Sequence, residues 1–335
     1  MDYTKILKEI CAELDLGVLL EEPIRIFGGL THKMFKVETD KNSYIIKLLN
    51  PNIMKRPTAL KNYQTADALE NKLQENKIPI VGSLLFNGQK MQNIEGQYFY
   101  IFPWYNGRSL KDNEITKLNC QKIGKTMADI HKISVIEKNE QKEQMIIDWE
   151  SYIELEKEKN PTICELLKDN VGLLYKHMKL YNSSLHQIPN IQTICHNDMD
   201  SKNVLWINDD FKIIDLECLN YSNPYLELFQ IALCWSGYET CNIDFDLFKE
   251  FINSYFENNK LPDIDWEIIY NLNMGRLEWL EFNLKRSLMI ECDTIEEQEL
   301  GVKEVKETLE HIIYYENIKD EILKNMKEFG VDRNV

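Results

Sequence analysis

Between Ile194 and Trp206 the chain reads ICHNDMDSKNVLW, which puts His196, Asp198 and Asn203 on one short polar turn between apolar flanks. Twelve residues past Asn203, Asp215 ends the apolar run Phe211-Lys212-Ile213-Ile214. A zinc centre would want several histidine and cysteine ligands at short spacing, and this turn offers His196 and Cys195 alone. A hard cation such as Mg2+ prefers carboxylate and carboxamide oxygens together with phosphate. Asn203 and Asp215 supply such oxygens from two adjacent strand ends, and Asp198, five residues before Asn203, is left to accept a proton from a hydroxyl. A carboxylate that orients an attacking hydroxyl, beside ligands for a cation that neutralises phosphate charge, is what phosphoryl transfer requires.

The order H-x-D-x-x-x-x-N, an apolar strand, then I-I-D resembles the catalytic and metal loops of the protein-kinase-like fold. The stretch His196-Asn197-Asp198-Met199-Asp200-Ser201-Lys202-Asn203-Val204-Leu205 is similar to the aminoglycoside phosphotransferase and choline kinase group, whose third motif is D-x-D or D-x-E; here it is Asp215-Leu216-Glu217. The resemblance implies an α+β, two-lobed protein-kinase-like fold, with a small N-terminal antiparallel sheet lobe and a larger helical C-terminal lobe. It implies Asp198 as the catalytic base, Asn203 and Asp215 as Mg2+ ligands, and ATP or GTP as phosphate donor. It also asks for a lysine at the end of the third strand, which Lys47 in YIIK supplies, and for a helix acid to pair with it: Asp67 or Glu70, with Asp67 preferred as nearer the helix middle. A phosphate-covering hairpin falls on Gly28, Gly29 and Thr31. The hinge falls on residues 100–107, where the backbones of Phe102 and Trp104 are the candidates to meet the adenine. His196 takes a structural role, Glu217 binds a second metal through water or caps a turn, and Glu227, in NYSNPYLELFQIAL, supports the catalytic loop. Asp200 and Lys202 contact substrate or phosphate, or face water.

The elements that must position these residues follow from periodicity. Residues 24–27, 34–39 and 43–49 read as a three-stranded meander, 57–76 as a helix with Leu60, Tyr63, Ala66, Leu69 and Leu73 on one face, and 81–86 and 97–104 as two further strands. After Asn106-Gly107 the pattern turns helical over 115–131, 148–158 and 163–185, and again from Pro224 onward. Residues 191–195 and 204–207, with 211–214, form a hairpin-like unit inside that helical region. The seam expected near 103–107 divides the chain into a nucleotide-binding lobe, 1–105, and a catalytic and acceptor-binding lobe, 106–335.

Composition bounds the partners. A chain of 335 residues with 44% apolar content can build one large core or two lobes. A net charge of −16 and the lack of a dominant Lys/Arg block argue against nucleic acid, and no apolar run approaches the ~20 residues of a membrane span. Eight cysteines without C-x-x-C spacing read as free thiols in a reducing compartment. The amphipathic opening MDYTKILKEICAELDL is not patterned as a signal peptide, so a cytoplasmic location is expected. The acidity suits a cationic small-molecule acceptor. Glu278 and Glu281, which share a face of a helix whose other face carries Leu277, Leu280 and Leu284, could meet its ammonium groups, although a solvated acidic face explains them equally well. An aminoglycoside-like acceptor is favoured; choline, ethanolamine, homoserine or a sugar is the alternative, and a catalytically silent kinase-like binding module is a third.

Overall fold

The structure, a computed structural model, describes residues 3–26, 32–138, 143–290, 292 and 294–331. By internal contacts the chain divides into two compact units: Met1–Lys111 with Thr193–Ser222, and Asp112–Gln192 with Asn223–Val335. The expected lobes, 1–105 and 106–335, cut the chain once, where strand-like patterning gives way to helical. The contacts instead assign the hairpin segment to the same unit as the N-terminal residues.

In the first unit, α1 (Thr4–Glu13) precedes β1 (Ile24–Ile26), β2 (Lys33–Glu38) and β3 (Ser43–Leu48). The chain continues through α2 (Pro51–Met54), α3 (Ala59–Glu75), β4 (Gln92–Ile94) and β5 (Gln97–Pro103). The strands form one antiparallel sheet in the order β1-β2-β3-β5-β4. Alternation along the strands gives the sheet two faces. Ile46, Phe99 and Ile101 join Leu7, Ile10 and Cys11 of α1 in a buried cluster, and burial pushes the Cys11 thiol up to about 11. Tyr100 joins Tyr63 of α3 in another. Lys47 lies opposite Tyr100 in the β3–β5 register and next to Ile46, so the strand period turns it toward the α3 face.

The expected strand over 81–86 is absent. Its donors go to separate partners: Val81 N–H to Ile213 O, Ser83 N–H to Glu70 Oε1 and Leu84 N–H to Ile101 O. An extended segment whose hydrogen bonds are split in this way builds no ladder. Gly82 permits the close passage, because an added Cβ there would stand 2.9 Å from Glu70 Oε1.

The second unit opens with α4 (Lys117–Ile133), β6 (Val135–Glu137), α5 (Trp149–Lys159) and α6 (Pro161–Ser184). A capping box between Thr116 and Asn119 starts α4. The chain then returns to the first unit through β7 (Ile191–Cys195), whose last residues lie there, and β8 (Val204–Ile207), β9 (Asp210–Ile213) and β10 (Asn220–Ser222). It closes in the second unit with α7 (Pro224–Cys234), α8 (Phe245–Asn258), α9 (Trp266–Leu272), α10 (Gly275–Ser287), α11 (Ile295–Asn317) and α12 (Lys319–Val331). Helices α4 and α8 touch closely at Gly124, where a Cβ would meet the Phe251 carbonyl oxygen at 2.5 Å. Leu277, Leu280 and Leu284 of α10 are fully buried, as their spacing requires. Among the described residues no helix is long and apolar enough to cross a membrane.

If α1 is part of the first unit's core, Ile10→Ala, at a fully buried position, will cost about 2–5 kcal/mol. Urea unfolding measures this; a loss well under 1 kcal/mol would remove α1 from that core.

Candidate active site

The polar turn is built on β7, whose buried residues end at Cys195. His196 is buried and bonded on both nitrogens. Asp198 N–H donates to Nδ1 at 3.3 Å, so Nε2 carries the proton and donates to Ile214 O at 3.1 Å. The imidazole thus ties the turn to the strand that leads to Asp215. Asn197 reverses the chain in the left-handed region, with φ 63°, a conformation asparagine tolerates, and its Nδ2 donates to Cys218 O at 2.8 Å.

Asn203, 5% exposed, donates from Nδ2 to the Asp198 carboxylate at 2.8 Å and to the Asp198 carbonyl at 2.7 Å. That leaves Asn203 Oδ1 as its atom for a cation. Ile214 N–H donates to Asn203 O at 2.9 Å, continuing the β8–β9 pairing of Val204 with Ile213. Asn203 and Asp215 therefore leave the same end of one hairpin. Asp215 is left-handed, with φ 62°, and opens the short helical turn Leu216–Cys218 that carries Glu217. The oxygen donors of Asn203 and Asp215 are of the type a hard divalent cation takes.

Lys47 comes to Asp215 from β3. Its Nζ lies 2.5 Å from Asp215 Oδ1 and 2.6 Å from Glu217 Oε2. Burial alone would pull this ammonium down, but the two carboxylates outweigh it and hold its pKa above the usual lysine value. Burial likewise pushes Glu217 up, yet a hydrogen bond from His32 and the Lys47 charge bring it down to about 2. His32 Nδ1 accepts Asn50 N–H at 3.0 Å, so its Nε2 proton faces Glu217 Oε1 at 3.3 Å, with Tyr63 OH at 3.2 Å from the same nitrogen.

The helix acids lie elsewhere. Asp67, the expected partner of Lys47, accepts Tyr100 OH at 3.0 Å instead. Glu70, buried, pairs with the buried Lys90 at 2.9 Å and accepts Ser83 N–H at 2.7 Å. A carboxylate that already meets a buried ammonium and a backbone donor has little to offer a second lysine. Lys47, Asp67, Glu70, Tyr100, Phe102, Asp215 and Glu217 nevertheless line one small cleft of the first unit.

The hinge expectation also needs correction. Trp104 N–H donates to Ser43 O at 3.0 Å. Antiparallel pairing alternates, so Phe102, two residues back and opposite Ile45, also turns its backbone to β3. The backbone of Phe102 and the Trp104 N–H serve the sheet; the Pro103 carbonyl, by the same parity, faces away from it. The Trp104 ring carries the Lys36 ammonium 4.6 Å from its centroid. Gly28, Gly29 and Thr31 lie outside the described residues.

Of the remaining expected residues, Asp200 Oδ2 and Asp198 Oδ1 share Lys202 at 2.8 and 3.3 Å. Glu227 lies in the second unit, buried, with Oε2 2.6 Å from His131 Nε2, while His131 Nδ1 meets Tyr255 OH at 2.7 Å. Glu278 is exposed on α10; Glu281 accepts Tyr152 OH at 2.9 Å and sits 3.3 Å from Lys285. Sequence reasoning missed His32 and Lys90 as carboxylate partners, because no spacing in the chain links them to Glu217 or Glu70.

Two outcomes follow. Lys90→Met leaves the Glu70 carboxylate buried and uncompensated, and is expected to cost about 3–5 kcal/mol in urea unfolding; the double change with Glu70→Met should recover much of that loss, and no recovery would deny the pairing. Burial also raises the Asp67 carboxyl to about 6, against a hydrogen bond from Tyr100 that lowers it. A raised carboxyl contributes stability that is complete below its unfolded value, about 4, and is lost as pH rises through about 6. Asp67→Asn should therefore flatten the melting temperature between pH 4 and pH 6; an unchanged slope would refute the assignment.

The choline/ethanolamine kinase family model matches residues 24–274, well over half of the chain. Stress response kinase A of Escherichia coli O157:H7 is 25% identical over 123 residues, 35% of this chain and 36% of that protein, so the match spans little more than a third of the curated relative. Among solved structures, spectinomycin phosphotransferase APH(9)-Ia, in complex with ADP and spectinomycin, superposes with a TM-score of 0.71 at 15% identity, covering 93% of this chain and 98% of that one. The ethanolamine kinase of Plasmodium vivax gives 0.54 at 16% identity, covering 86% and 81%. At such identities the likeness is one of fold, the two-lobed α+β, protein-kinase-like fold. The match along residues 24–274 shows more: the chain belongs to the choline/ethanolamine kinase family.

Proposed function

We propose that this protein is a small-molecule kinase that moves the γ-phosphoryl group of ATP or GTP to a hydroxyl of a small cationic acceptor, aminoglycoside-like by preference. The observation that carries this reading is the linkage of Asp198, Asn203, Asp215 and Lys47 in one unit. The amide of Asn203 holds the Asp198 carboxylate at 2.8 Å, its backbone holds Ile214, and the next residue, Asp215, meets Lys47 at 2.5 Å.

In this reading Asp198 orients the acceptor hydroxyl and takes its proton as the new oxygen–phosphorus bond forms and the bond to the leaving nucleoside diphosphate breaks. Asn203 fixes the Asp198 rotamer through its Nδ2, and His196 fixes the loop from the other side. Lys47 offers a point charge to the nucleotide phosphates. Asn203 Oδ1 and the Asp215 carboxylate would hold Mg2+, which when bound neutralises charge on the phosphate oxygens. Glu278, exposed on α10, is the acid better placed for a cation, because Glu281 already faces Lys285. The net charge of −16 agrees with a cationic acceptor. The family match favours choline or ethanolamine as the second choice; the spectinomycin named for the neighbouring structure supports the first.

An acceptor screen with labelled ATP and GTP, over aminoglycosides, choline, ethanolamine, homoserine and sugars, tests the assignment. Asp198→Ala is expected to lower transfer by about 10²–10⁴-fold while Mg-ADP still stabilises the protein, by about 2.7 kcal/mol at a hundredfold excess over Kd. Transfer at near the wild-type rate would remove Asp198 from the chemistry. Nucleotide binding without turnover of any acceptor would favour a silent binding module.

A further inference from the structure

We propose that Glu217 is the residue that positions Lys47 for the nucleotide, and that His32 holds Glu217 for that purpose; the inference rests on the nucleotide-binding reading above. The helix acid expected in this role is engaged elsewhere. Glu70 is closed in by Lys90 and Ser83, and Asp67 by Tyr100. Lys47 is 6% exposed, and a buried ammonium needs a counter-charge in every state of the site. Two carboxylates touch it, Asp215 at 2.5 Å and Glu217 at 2.6 Å. Asp215 is the acid with a competing task, since it leaves the hairpin end beside Asn203. A carboxylate turned to a cation has less charge left for Lys47, and Glu217 is then the partner that remains.

Glu217 is built to remain. Its Oε2 meets Lys47, and its Oε1 faces the Nε2 proton of His32 at 3.3 Å. His32 is fixed in turn by Asn50 N–H at 3.0 Å and Tyr63 OH at 3.2 Å. The short helical turn that carries Glu217 packs against α3, the helix that supplies Tyr63. With its Oε2 in ion-pair contact with Lys47 and its Oε1 facing His32, Glu217 acts as a positioning residue.

Equilibrium titration of ADP, with Mg2+ and separately with EDTA, distinguishes the two roles. Glu217→Gln is expected to weaken ADP binding about 10- to 100-fold under both conditions, as the Lys47 ammonium loses one of its two counter-charges. Glu70→Gln should change it less than about threefold, as its carboxylate serves Lys90. Lys47→Met combined with Glu217→Gln should bind no more weakly than Lys47→Met alone, because the two act as one unit. His32→Gln should shift binding in the same direction by less, and it carries the test if Glu217→Gln fails to fold. The proposal is overturned if Glu217→Gln weakens binding only when Mg2+ is present, which would make Glu217 a metal residue. It is also overturned by additive effects with Lys47→Met, or by tighter binding, which would make Glu217 a competitor for Lys47. Wild-type protein that binds no ADP at all would remove the nucleotide reading itself, and this inference with it; wild-type binding with an unaffected Glu217→Gln removes this inference alone.

Discussion

The ammonium of Lys47 sits on the α3 side of the sheet, almost wholly out of water, between the carboxylates of Asp215 and Glu217. Moving such a charge out of solvent costs several kcal/mol unless opposite charge is placed beside it. The arrangement of the first unit follows from meeting that requirement. The strand period aims Lys47 to one face. The β8–β9 hairpin ends where Asp215 can reach it, and the turn after Asp215 presents Glu217. His32 and Tyr63 then hold the second carboxylate in place.

A second buried lysine shows the same rule applied independently. Lys90 is 6% exposed and Glu70 4%; they pair with each other, and Glu70 also accepts Ser83 N–H. Two buried cations in one unit divide the available acids between them. The division leaves Asp67 hydrogen-bonded to a tyrosine hydroxyl, and burial raises its proton affinity against that bond. Electrostatics here is a matching problem among a few side chains, and the matching is set by three-dimensional proximity.

That is where the sequence stops being readable. The turn at 196–203, Asp215 and Lys47 could be found because each stands at a fixed offset within a local pattern. Strand alternation locates Lys47 and the hairpin locates Asn203 and Asp215. The partner of Lys47 could not be found in the same way. Position near the middle of the helix favours Asp67, a criterion blind to Lys90, which arrives from a distant turn and takes Glu70. The hinge failed for a related reason. Chain position alone points to Trp104 and Phe102, whereas strand register decides which carbonyls and N–H groups face β3. The 81–86 segment has a strand's residues, but its donors go to four different neighbours. Helices such as α4, α5 and α6 fall within a few residues of their expected bounds, since a 3.6-residue period is a local property.

The first unit is discontinuous, with residues 112–192 inserted between Lys111 and Thr193. Both counter-ions of Lys47 belong to the later segment. A nascent chain that has emerged only as far as Lys111 would have to bury a bare cation to close its sheet, so that half cannot reach its native form while the ribosome is still making the insertion. Final closure waits for the hairpin to arrive from a great distance along the chain, which is the kind of non-local pairing that slows folding.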